Sequence, residues 1–195
     1  MAESRNPYAA PISDDIDDAA RGVVRREPAP FYVVSLLKFY LLACSTFGLY
    51  KLYWFYAQFR AQRQNGSKGN AAFAAFFSMF TAHGLFRSID LAAAAAGLPS
   101  SPRATNQTAP YIVMTLLLGV VRALSKQSLT LGVAALGVSV LAAAPLARVQ
   151  GIINRSVGDP RGSQNSNFSA LNIVSITIGA LLTVLALVGQ AQGIR

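Results

Sequence analysis

His83, Arg87 and Asp90 are four and three positions apart, so a helix carries all three on one face. That set would make a proton or anion site. His83 would titrate near neutrality, Arg87 would hold an anion or a lipid phosphate, and Asp90 would set the orientation. Asp90 is the sole acid between Glu27 and Asp159, which makes it the only internal counter-ion for Arg87 and a candidate partner for Lys51. The competing reading is that Arg87 and Asp90 mark the polar end of a helix and that His83 is bonded to a neighbour. Asn154, Asp159, Asn165 and Asn172 also offer oxygen atoms. A cation site needs converging carboxylates and this stretch has one, so turn and cap duties are expected instead. Cys44 is the only cysteine, which excludes an intrachain disulfide and a thiolate metal site. The chain has no P-loop, dinucleotide fingerprint, zinc-protease motif or nucleophile elbow. No metal, no cofactor and no enzymatic activity are expected.

The elements that must position these residues are oily. Hydrophobic residues make up 53% of the chain and charged ones 13%, about half the charged fraction of an ordinary soluble domain at roughly 25%. Five apolar helical segments are expected, at about 31–57, 71–97, 110–124, 129–146 and 168–188. The first begins with about 20 mostly apolar residues, close to the length that spans a hydrocarbon core. It ends in Tyr50, Tyr53, Trp54 and Tyr56, which read as an interfacial aromatic belt, followed by Arg60 and Arg63. In the fourth, Ala135, Ser139 and Ala143 recur every four residues, a helix-packing face that lets another helix approach closely. Pro145 is placed to kink that segment's end, and Ser166 and Asn167 read as caps of the fifth. Residues 1–30 are Pro-rich and aperiodic, with an acidic cluster at Asp14, Asp15, Asp17 and Asp18, and read as a disordered cytoplasmic-type tail. The expected fold class is therefore all-α, an integral membrane helical protein of a single domain over 31–195.

Charge sharpens the topology without closing it. Residues 1–27 hold four Lys/Arg and six Asp/Glu, a net of −2, while the remainder holds thirteen and two, a net of +11. Excess cations at the ends of oily runs point to anionic lipid headgroups rather than to nucleic acid. If all five segments cross, the cations divide almost evenly between the two sides. If segments one and two each enter and leave on one side, bending at Gly48 and Gly84, then Arg60, Arg63, Lys68, Arg103, Arg148, Arg155 and Arg161 share a face with the N-terminus, which is then cytoplasmic. Three to five crossings follow. Gly48-Leu49-Tyr50-Lys51 also matches Gly84-Leu85-Phe86-Arg87, which reads either as a degenerate repeat or as chance likeness between two oily runs.

Two stretches carry a resemblance. The first, Ser35 to Tyr56, contains TFGLYKLYWFY and continues into FFSMFTAHGLFRSID; the second, Val149 to Asn172, reads VQGIINRSVGDPRGSQNSNFSALN. Both resemble a family of small proteobacterial inner-membrane proteins with a T-x-G-x-Y-x-x-Y-W-F-Y signature (DUF4234-like). This chain departs from that pattern at Phe59, where relatives often carry Trp, and in its last helix, which lacks Trp. The resemblance implies a multi-pass protein of the bacterial inner (plasma) membrane and transfers no activity.

Three functional readings follow. The first is a non-enzymatic accessory or envelope-organising protein, associating through small-residue faces with a second copy or another membrane protein. The second is a small transporter or channel using Lys51, His83, Arg87 and Asp90. The third is a lipid-directed enzyme with His83 as base.

Overall fold

The computed structural model describes residues 31–64, 68–125 and 128–192. The expected tail at 1–30 lies outside them. Every regular element among the described residues is helical. The α-helices are α1 (Leu36–Ser45), α2 (Leu49–Gln64), α3 (Ala71–Phe76), α4 (Ser78–Ala95), α5 (Thr108–Ser125), α6 (Leu129–Ser156) and α7 (Ala170–Ala191). Short 3-10 turns at Thr105–Gln107 and Ser163–Asn165 precede α5 and α7.

Five apolar segments are not what forms. Three helices, in α5, α6 and α7, are long and apolar enough to cross a membrane. Segment one is two helices. Phe47 and Gly48 both take positive φ, +54° and +98°, which breaks the helix and turns the chain back. The two arms close on each other at their open end, where Tyr32 N donates to Gln58 Oε1 (3.0 Å) and Gln58 Nε2 donates to Tyr32 O (2.9 Å). Segment two breaks as well, but at Phe77, between α3 and α4. Gly84 lies inside α4 and bends nothing, so it has no structural likeness to Gly48 and the four matched residues do not mark equivalent places.

Segment four runs ten residues beyond its expected end, to Ser156. Pro145 sits inside α6 without ending it. The helix continues because Gln150 and Asn154, one turn apart, are both buried against the α1–α2 hairpin, so tertiary contacts hold the turns that the polar composition argued against. The cap of α7 is Ser169 rather than Ser166 or Asn167. Its hydroxyl accepts from Asn172 N while Asn172 Oδ1 accepts from Ser169 N, a reciprocal capping box.

α6 is the hub, packed against α1, α4, α5 and α7. Its Ala135, Ser139 and Ala143 are all buried, so the small-residue face is used within the chain. The core is aromatic where α2 meets its neighbours. Phe55 lies 5.3 Å from Tyr111 of α5 and 6.4 Å from Phe86 of α4, and Trp54 packs edge-on to Phe39 of α1. α7 differs from the rest: only 6% of its most apolar stretch is buried. It touches α1 through Gly179, whose missing side chain leaves room for the Ser45 backbone. A methyl at that position would overlap Ser45 O, so Gly179→Ala is expected to cost about 1–3 kcal/mol. Thermal unfolding in detergent checks this, with Gly189→Ala as control because its Cβ meets open space.

Candidate functional site

His83, Arg87 and Asp90 do lie together. They line a cleft of about 670 Å³ between α4, the loop at 98–105 and the last turns of α6. α4 presents them because its opposite face, with Ala82, Leu85, Phe86 and Ile89, is buried in the aromatic core. Asp90 does not pair with Arg87. Its carboxylate accepts from Ala104 N, from Thr105 N (3.1 Å) and from Thr105 Oγ1 (2.7 Å), holding the first amides of the turn that opens α5. Arg103 and Arg155 join the same cleft, and no sequence spacing pointed to either. Arg155 arrives because α6 continues past Pro145. Leu91, Ala94, Leu98 and Ile152 supply apolar walls.

Lys51 is elsewhere. Its ammonium is buried and donates to Ala142 O of α6 (3.1 Å), one residue from the carbonyl that Pro145 deprives of its helical donor. Arg122 of α5 reaches the hairpin tip, donating from Nη1 to Phe47 O (2.8 Å) and from Nη2 to Ser139 Oγ (3.3 Å). Backbone carbonyls thus receive both cations, and Asp90, the candidate partner for Lys51, serves the start of α5 instead. A small cavity of about 140 Å³ at this tip is lined by Cys44, Arg122, Ser139, Thr183 and Gln190, among others.

The four rings expected to form a belt differ in exposure. Tyr53 is 50% exposed and Tyr56 partly exposed, whereas Tyr50 and Trp54 are buried. Residues 50, 54 and 58 fall one turn apart on the inward face of α2, which is why helical periodicity overrules the interfacial preference of the rings.

A second polar centre was not read from the residue types. Gln150 Oε1 accepts from Trp54 Nε1 (2.6 Å) and Gln58 Nε2 (3.3 Å), and Gln150 Nε2 donates to Tyr32 O (3.2 Å) and Asn154 Oδ1 (2.6 Å). Asn154 Nδ2 then donates to Val34 O (2.9 Å). The available signal was a Gln and an Asn one turn apart within the apolar run VQGIIN. The following loop adds a strap. Lys38 Nζ donates to Asn165 Oδ1 (2.6 Å) and Asn167 O (2.7 Å), and Gly162, at φ +65°, passes against the Val34 backbone too closely for any side chain. Asp159 shapes that loop by accepting from Gln164 N and Ser163 N, which hold its carboxyl below the usual range. The four oxygen-bearing residues from Asn154 to Asn172 are therefore each engaged in a different place. Among the described residues no cluster of metal ligands forms.

Among the described residues, fold and site together define an all-helical protein with three helices of membrane-crossing length, a folded-back hairpin and a basic cleft. No protein-family model, curated protein or solved structure matches it.

Two outcomes are expected from these bonds. Gln150→Leu strands the Trp54 N–H and other buried partners at about 1–3 kcal/mol each, read from the unfolding midpoint by the fluorescence of Trp54, the chain's one tryptophan. For Asp159, the folded carboxyl's pKa lies below the unfolded value, so its contribution is present above roughly pH 4 and is lost as pH falls through the folded pKa. Asp159→Asn at neutral pH mimics that loss, and amide hydrogen exchange across residues 162–165 should speed up.

Proposed function

We propose that this chain is a multi-pass integral membrane protein of the bacterial inner membrane, without enzymatic activity, acting as an accessory or envelope-organising component. The observation that carries the reading is α7. It has 22 residues, about 33 Å of helix against a hydrocarbon core of about 30 Å. Most of its leucines and isoleucines are half or more exposed, as at Leu171, Ile178, Leu181 and Leu185. Water would not tolerate such a surface, and lipid solvates it without cost. The likeness of TFGLYKLYWFY to the DUF4234-like signature supports the same membrane.

Helix lengths favour three crossings. α1 has ten residues, about 15 Å, half of what a crossing needs. The α1–α2 hairpin is thus a re-entrant element: it enters from the side of Tyr32 and Gln58, turns near mid-depth at Phe47 and Gly48, and returns. Its α1 arm packs on α6 and α7 and its α2 arm on α3 and α4, which supplies the protein cover that such a hairpin needs along its two arms. On this reading Arg60, Arg63, Lys68, Arg103, Arg148, Arg155 and Arg161 share the cytoplasmic face with the N-terminus.

Association with a partner rests on surfaces other than Ala135, Ser139 and Ala143, which are occupied within the chain. Lipid-facing α5 and α7 are the free faces for a second copy or another membrane protein. The separation of Lys51 from the His83 cleft weighs against the transport reading, which needs the four residues together.

Reporter fusions after Gly66 and Pro102 should give the cytoplasmic signal, and a fusion after Lys126 the opposite one. A Gly66 signal opposite to Pro102 would replace the re-entrant hairpin with full crossings. The chain should also stay in the membrane pellet after alkaline washing; release into the supernatant would defeat the membrane reading altogether.

A further inference from the structure

We infer that the cleft between α4, the 98–105 loop and the end of α6 binds a phosphate-bearing anion, supplied by the headgroup of an anionic lipid or as free phosphate. Three guanidinium groups, from Arg87, Arg103 and Arg155, line it beside His83, against one carboxylate, Asp90. That carboxylate is engaged by two backbone amides and a hydroxyl and pairs with none of the arginines, which outnumber it, so the cleft keeps a net positive charge. Arg103 uses only its Nε, donating to Ser100 O (3.1 Å). Arg87 and Arg155 make no side-chain hydrogen bond to any other described residue, although both are anchored on well-packed helices. Planar, exposed guanidinium forks lining one cleft suit the oxygen atoms of a phosphate, which they bind in pairs. The volume falls within the range of small-ligand sites.

The cleft also continues. A second groove, lined by Tyr40, Gln107, Arg148 and Leu36, shares Pro102, Ile152 and Arg155 with the first. Arg155 therefore stands between two adjoining basic spaces, and Leu91, Leu98 and Ile152 give apolar surface next to the charge. A phosphodiester headgroup with its glycerol and the start of an acyl chain matches that order of cation then oil, whereas inorganic phosphate uses the cations alone. The lipid source rests on the membrane reading above. Phosphate binding does not.

The test uses the full chain purified in a neutral maltoside detergent, titrated with phosphatidylglycerol, phosphatidylcholine of the same acyl length, or inorganic phosphate, with the unfolding midpoint as readout. A saturable rise is expected with phosphatidylglycerol, at a half-saturating mole fraction at least tenfold below that of phosphatidylcholine. The double variant Arg87→Gln/Arg155→Gln should raise that mole fraction at least tenfold. Lys68→Gln/Arg161→Gln removes the same charge from positions outside the cleft and should change it less than twofold. An equal, saturable effect of inorganic phosphate that the Arg87/Arg155 variant abolishes upholds the anion site and assigns it a soluble source. Equal responses to the two lipids with none to phosphate, or equal losses in the two double variants, overturn the site. Release of the chain by alkaline washing would remove the lipid source alone, leaving the phosphate titration as the test of the cleft.

Discussion

Gln150 is the point where the polar end of the molecule is tied. Its one amide group joins the backbone entering α1, the inward face of α2 and the final turns of α6 through bonds of 2.6–3.3 Å, of which only the one to Tyr32 O is partly open to water. A buried polar group is costly unless paired, so each member of this set constrains the others. With the hairpin's open end fixed there, its closed end must lie along α6, where Ser139 and Ala142 receive Arg122 and Lys51. The basic cleft depends on the same arrangement, because Arg155 directly follows Asn154, the last α6 residue that binds the hairpin. Removing Gln150 would release α6 at the place where its sequence has least tendency to stay helical.

How far the residues themselves announced this is uneven. Helical class and the long apolar runs of α5, α6 and α7 were readable because they depend on composition and length, which neighbours do not change. The folded-back hairpin was readable as an alternative, since Gly48 marked a break and the distribution of arginine favoured a return. The choice between crossing and returning was not, because it depends on contacts between Tyr32 and Gln58 and between α1 and α7. Within α2 the types of Tyr50 and Trp54 suggested an interface, and only their phase relative to Gln58 turned them inward. The grouping of His83, Arg87 and Asp90 followed from helical spacing alone. The addition of Arg155 did not, since it lies 65 residues beyond Asp90 and needs the tertiary fold to arrive.

The cations divide into two populations with different physics. Lys38, Lys51 and Arg122 are committed to oxygen atoms of the chain, mostly backbone carbonyls at helix ends, turns or beside a proline, where a positive charge meets the negative end of a peptide dipole. Arg87 and Arg155 stand at the polar end with donors unspent. The first group is the cement of the hairpin, and the second faces outward to whatever anion the surroundings supply.

The distance along the chain between α1 and the residues that hold it also bears on how the molecule is assembled. Its holding partners, Asn154, Asn165 and Asn167, lie 120 to 129 positions downstream of the residues they grip. A ribosome delivers the hairpin long before those partners exist, so early in synthesis it has no groove to settle into. The contacts that seat the hairpin on α6 and on the loop before α7 are thus completed only when the last third of the chain is being made.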